Sequence, residues 1–127
     1  MSKVLDHHEA IRLLREVVKG REDYVYSCDN PPGYTPPAGM GYDSSLCYYR
    51  DAEGKPSCVV GCVLDKWEPE IALPEGIAVS NGRFLPDRLT DKARSVLFAA
   101  QSRQDDEYSW EYSLLAAQQL YDFYRRK

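Results

Sequence analysis

Ser57-Cys-Val-Val-Gly-Cys-Val-Leu-Asp-Lys-Trp67 is the stretch on which the fold turns. Pro56 stands just before it and Ser57 is a good helix N-cap, so the segment reads as a helix over residues 57 to 67. Apolar side chains occupy nearly every face of that helix, which places it at the centre of the core rather than on its surface. Gly61 in its middle permits the close approach of a neighbouring element.

Upstream, Asp6 followed by Glu9 forms a capping-box variant, and Ala10, Ile11, Leu14, Val17 and Val18 recur at helical spacing until Gly20. The spacing predicts a first helix over residues 7 to 19. Tyr24-Val-Tyr-Ser-Cys28 is short, aromatic and β-branched, and Leu46-Cys-Tyr-Tyr-Arg50 repeats that character before the turn residues of 51 to 54. Both are expected to be strands. Between them, residues 29 to 45 hold Pro31, Pro32, Pro36 and Pro37 with three glycines, which predicts a long exposed loop.

Downstream, residues 68 to 88 are broken by Pro69, Pro74, Gly76, Gly82 and Pro86 and leave room for a helical turn or two. Thr90 then caps a helix with the stripe Ala93, Val96, Leu97 and Ala100, running to about Arg103. Ser109 caps a last helix with the stripe Trp110, Leu114, Ala117, Tyr121 and Tyr124, widened by Ala116, Leu120 and Phe123. The resulting expectation is an α+β single domain over residues 1 to 127, with a small antiparallel sheet packed against about four helices. At 127 residues one core is expected.

Charge excludes some function classes. The net charge is −4, and the sixteen basic residues form no stripe able to neutralise several phosphates, so no nucleic-acid partner is expected. Nowhere do eighteen apolar residues follow one another, and the N-terminus has no signal-like apolar run. The expectation is a cytoplasmic protein with no membrane partner, in which the four cysteines are reduced thiols.

No catalytic, metal or cofactor site is assigned. Cys28, Cys47, Cys58 and Cys62 lack the paired knuckle spacing of zinc sites, and Cys58 and Cys62 lie inside an apolar helix. His7 and His8 sit at the start of a helix with no adjacent nucleophile in sequence. Gly39-Met-Gly41 is a fragment of a loop, not a phosphate cradle. Asp105, Asp106 and Glu107 precede a helix, where negative charge complements the dipole.

Tyrosine departs furthest from ordinary usage, at ten residues. Tyr joins a large apolar body to a polar tip and is enriched at interfaces. A partner-binding surface is therefore placed on Tyr24, Tyr26, Tyr34, Tyr42, Tyr48, Tyr49 and Arg50.

Lys55-Pro-Ser-Cys-Val-Val-Gly-Cys-Val-Leu64, followed by Ala99-Ala-Gln-Ser-Arg-Gln-Asp105 and Ser109-Trp-Glu-Tyr-Ser-Leu-Leu-Ala116, resembles motifs of short uncharacterised proteins of actinobacteria and their bacteriophages. The motifs cover about half the chain. The resemblance implies a phage or host accessory protein and carries no catalytic residue. The long loop at 29 to 45 departs from the simpler members. The functional expectation is a non-enzymatic accessory protein, phage-encoded, that binds a host protein through the Tyr-rich surface, with self-association left open. The alternatives are a small-molecule binder, in which Arg50 and Arg83 would meet an anion, and a small cysteine-dependent enzyme.

Overall fold

In a computed structural model of the chain, the residues described are 3–25, 49–50, 54–74, 77–106 and 108–125. They form four helices: α1 (His7–Val18), α2 (Val59–Trp67), α3 (Asp91–Asp105) and α4 (Trp110–Arg125). Helices α1, α2 and α3 start where their local sequence supplies a cap. The Asp6 carboxylate accepts the Glu9 N–H at 2.8 Å, and the Thr90 hydroxyl accepts the Ala93 N–H at 3.1 Å. Helix α2 begins two residues later than expected. Ser57 gives its N–H to the Tyr49 carbonyl at 2.8 Å, and Cys58 becomes the N-cap, its Sγ accepting from Gly61 at 3.3 Å.

The expected α+β architecture is corrected to an all-helical one, because no strand forms among the described residues and extended pairing is limited to isolated bridges. Val25 bridges to Ser109 and Arg50 to Pro56, each antiparallel, while Leu5 bridges to Leu89 in parallel. A ladder needs a second extended segment alongside the first. Here Tyr24 and Val25 lie against the start of a helix instead. The remaining residues of both expected strands, 26 to 28 and 46 to 48, fall outside the described residues, as does the loop at 29 to 45.

Helices α3 and α4 pack as a hairpin, and α1 lies against α2, α3 and α4 together. Core residues come from every helix: Ile11 and Leu14 of α1, Val59, Val60, Val63 and Leu64 of α2, Val96 and Leu97 of α3, Trp110 and Ala117 of α4. The central position assigned to α2 holds for these side chains, whereas Cys62, Asp65, Lys66 and Trp67 reach its rim. Phe123, assigned above to the apolar face of α4, is 48% exposed.

Gly61 is where α2 meets the rest of the chain most closely. A Cβ built there would lie 2.9 Å from the Tyr49 carbonyl carbon and 3.1 Å from its Cα, and nearer still to the carbonyl oxygen. Only glycine lets the Tyr49 backbone rest on the helix at that distance. The Tyr49 ring then drops into the core against Phe84, with ring centroids 5.0 Å apart, and its hydroxyl donates to the Ile77 carbonyl at 2.6 Å.

Two buried polar side chains tie loops and helix ends to this core. Gln104 of α3 accepts the Val59 N–H at 2.6 Å through Oε1, satisfying an otherwise orphaned donor at the start of α2. Arg94 is buried and donates to the carbonyls of Asn81, Phe84 and Leu85. It thereby holds the approach to Leu85 and Asp87, both of which adopt positive φ.

Candidate functional site

The residues from Arg21 to Val25 run across the N-terminal end of α4. Trp110 N–H donates to the Tyr24 carbonyl at 2.8 Å, and Glu111 N–H donates to the Glu22 carbonyl at 3.1 Å. The first N–H groups of a helix have no intrahelical acceptor, so a turn supplying carbonyls is held there by the helix's own unmet bonds. This fixes Tyr24 edge-on to the buried Trp110, with ring centroids 4.7 Å apart, while the Arg21 guanidinium lies 5.8 Å above the same indole.

Around this junction the apolar surface is exposed. Tyr24, Val25, Tyr108, Tyr112 and Leu115 are each between 45% and 57% open to solvent. Tyr108 and Tyr112 pack at 5.9 Å, one helical turn apart, and Arg103 stacks on Tyr108 at 5.6 Å. Arg103, Tyr108, Tyr112, Leu115, Ala116 and Gln119 line a shallow cavity of about 280 Å³. Its wall has aromatic bodies, hydroxyl tips and one cation.

Of the three assigned residues that lie among those described, Tyr24 is on this surface, whereas Tyr49 and Arg50 are not. Tyr49 is 2% exposed and belongs to the core, so its ring is unavailable to a partner. Arg50 is half-buried and committed within the fold: it pairs with Asp65 at 2.9 Å and donates to the carbonyls of Ile71 and Gly54. Its guanidinium thus already faces a carboxylate, which removes it as the anion-binding residue of a small-molecule site. Arg83 is exposed beside a shallow concavity walled by Ala72, Leu73, Pro74, Leu85 and Pro86. Tyr26, Tyr34, Tyr42 and Tyr48 lie outside the described residues.

Tyr108, Tyr112 and Leu115 carry the surface but are missing from the sequence assignment. Their signal was present: on a helix with Trp110, Ala117, Tyr121 and Tyr124 turned inward, positions 108, 112, 115 and 119 fall on the opposite face.

The other chemistry-bearing groups are occupied structurally. Burial pushes the Cys58 thiol pKa up, which keeps it protonated and poorly nucleophilic. Cys62 is raised by burial as well, although the neighbouring Arg21 guanidinium pulls the other way. His8 Nδ1 and the Tyr121 hydroxyl share a hydrogen bond of 2.8 Å, and His7 stacks on His8 at 4.1 Å. The His7 pKa is lowered by burial first, then by the charges of His8 and Lys92. Asp105 is the last residue of α3 and not simply a leader to α4; burial raises its carboxyl, against a hydrogen bond from Gln104. Among the described residues, no three of His, Cys, Asp and Glu gather as metal ligands, and no helix is long and apolar enough to cross a membrane.

Comparison of the chain with protein-family models, with curated proteins and with solved structures finds no match.

Proposed function

We propose that this protein is a non-enzymatic binding module whose partner protein packs against Tyr24, Val25 and Tyr108. One observation carries the reading: these side chains are exposed together while the backbone beneath them is held by the Tyr24–Trp110 and Glu22–Glu111 hydrogen bonds. Large aromatic groups on a rigid frame bind at low conformational cost, because little rotamer freedom is lost on contact. The hydroxyl tips give such a surface hydrogen-bonding capacity at its rim, and Arg103 adds a cation. A host protein is the partner class in keeping with the phage and actinobacterial resemblance, and Tyr24 was already assigned to a binding surface from the sequence.

The test compares wild type with Tyr24→Ala/Tyr108→Ala in affinity capture from host cytosol, with each captured protein then purified and rebound. The expected result is loss of a specific partner while the thermal midpoint falls only slightly. Undiminished rebinding by the double variant overturns the proposal.

A further inference from the structure

The outer face of α4 continues beyond the cluster just described. Tyr112, Ala116, Gln119 and Phe123 follow one another at spacings of four, three and four residues, which is the spacing of a seam that pairs with another helix. Tyr112, Gln119 and Phe123 are exposed and Ala116 is half-exposed, whereas Trp110, Ser113 and Ala117 are buried on the inner face. Leu115, also exposed, flanks the seam.

We propose that this seam pairs with the same seam of a second copy of the chain, the two α4 helices running antiparallel about a two-fold axis midway between positions 117 and 118. Three features select a copy of itself. First, the seam is self-complementary in size when reversed. Tyr112 falls opposite Phe123 of the other copy, and Ala116 falls opposite Gln119, so the small residue near the axis lets the helices approach. Second, charge is distributed for reversal. Glu111 stands at the start of α4 and Arg125 at its end, and both are exposed. An antiparallel pair brings Glu111 of each copy near Arg125 of the other, twice by symmetry. Asp122, the one acid near the basic end of the helix, already accepts a hydrogen bond from Gln118 at 3.0 Å. Third, antiparallel helices align their dipoles favourably, whereas a parallel pair would set Glu111 against Glu111 and Arg125 against Arg125.

Tyr24, Val25 and Tyr108 remain outside the seam. The pairing therefore extends the binding proposal without depending on it, and flanks each aromatic cluster with the C-terminal end of the other copy's α4.

The experiment is sedimentation equilibrium on the full chain from low micromolar to several hundred micromolar. The 14.5 kDa chain is expected to show a dimer mass of about 29 kDa that dissociates on dilution. Ala116→Arg, on the outer face of α4, is expected to give monomer at every concentration with an unchanged circular dichroism spectrum. Glu111→Arg alone and Arg125→Glu alone are each expected to weaken association about tenfold, and the double exchange to restore it. Restoration is specific to the antiparallel two-fold arrangement. A monomeric wild type overturns the inference, as does a dimer indifferent to Ala116→Arg or a double exchange that fails to rescue. Tyr24→Ala/Tyr108→Ala is expected to stay dimeric, so loss of the host partner and loss of self-association are read separately.

Discussion

Replacing Gly61 with alanine tests whether the α2–Tyr49 contact organises the core. In an ordinary helix interior this substitution stabilises by up to about 1 kcal/mol, because alanine has the higher helix propensity. Here the new methyl would sit 2.9 Å from the Tyr49 carbonyl carbon and 3.1 Å from its Cα. Carbon atoms rest at about 3.5 to 4.0 Å, so the two backbones must separate by roughly half an ångström or more. Neither is free to do so cheaply. The Tyr49 carbonyl accepts the Ser57 N–H, its hydroxyl donates to Ile77, and the adjoining Arg50 is pinned to Asp65 and Ile71. Weakening two hydrogen bonds costs about 2 kcal/mol, and overpacking adds about 1 to 3 kcal/mol. Set against the propensity gain, the net loss is about 2 to 4 kcal/mol, or roughly 8 to 16 °C in thermal midpoint for a domain of this size. Urea denaturation followed by circular dichroism gives the free energy and a melting scan gives the midpoint. Gly82→Ala is the control: no atom lies within 4 Å of its Cβ position, and its φ is ordinary, so stability should be unchanged or slightly raised. If Gly61→Ala is as stable as Gly82→Ala, the contact does not constrain the fold and the reasoning fails.

Gln104→Leu strands the buried Val59 N–H and should cost about 1 to 3 kcal/mol in urea denaturation, although leucine is the more apolar residue; a neutral result would show that α2 finds another acceptor. Arg94→Met leaves three carbonyls without their donor and should cost about 3 kcal/mol, with faster amide exchange over residues 84 to 88. Exchange that stays slow there would refute the tethering role. Asp105→Asn tests the raised carboxyl. A raised folded-state pKa means that the native state holds the proton more tightly, so this group's favourable contribution is full below the ordinary carboxylate range and is lost as pH rises through the folded value. The variant should therefore gain stability at neutral pH and lose that advantage near pH 3. An equal difference at both pH values would trace the effect to something other than ionisation.

The helices were legible because their signals are local. Asp6 and Thr90 cap α1 and α3 where the sequence places them, and the inward stripe of α4 from Trp110 through Ala117 forms as its spacing requires. A helix closes its hydrogen bonds within its own segment, so periodicity and caps suffice to mark it. Extended segments close theirs elsewhere. Nothing in Tyr24-Val25 says that the Tyr24 carbonyl will meet the first N–H of a helix more than eighty residues later, and the same side chains read equally well as a strand. The candidate surface divides in the same way: composition pointed to tyrosine, but only tertiary contact turned Tyr49 inward beneath Gly61 and committed Arg50 to Asp65.

What the chain determined alone was its apolar periodicity, its caps and the glycine at position 61. The packing of the four helices on one another then decided which aromatic rings are buried and which remain exposed, because burial depends on neighbours distant in sequence.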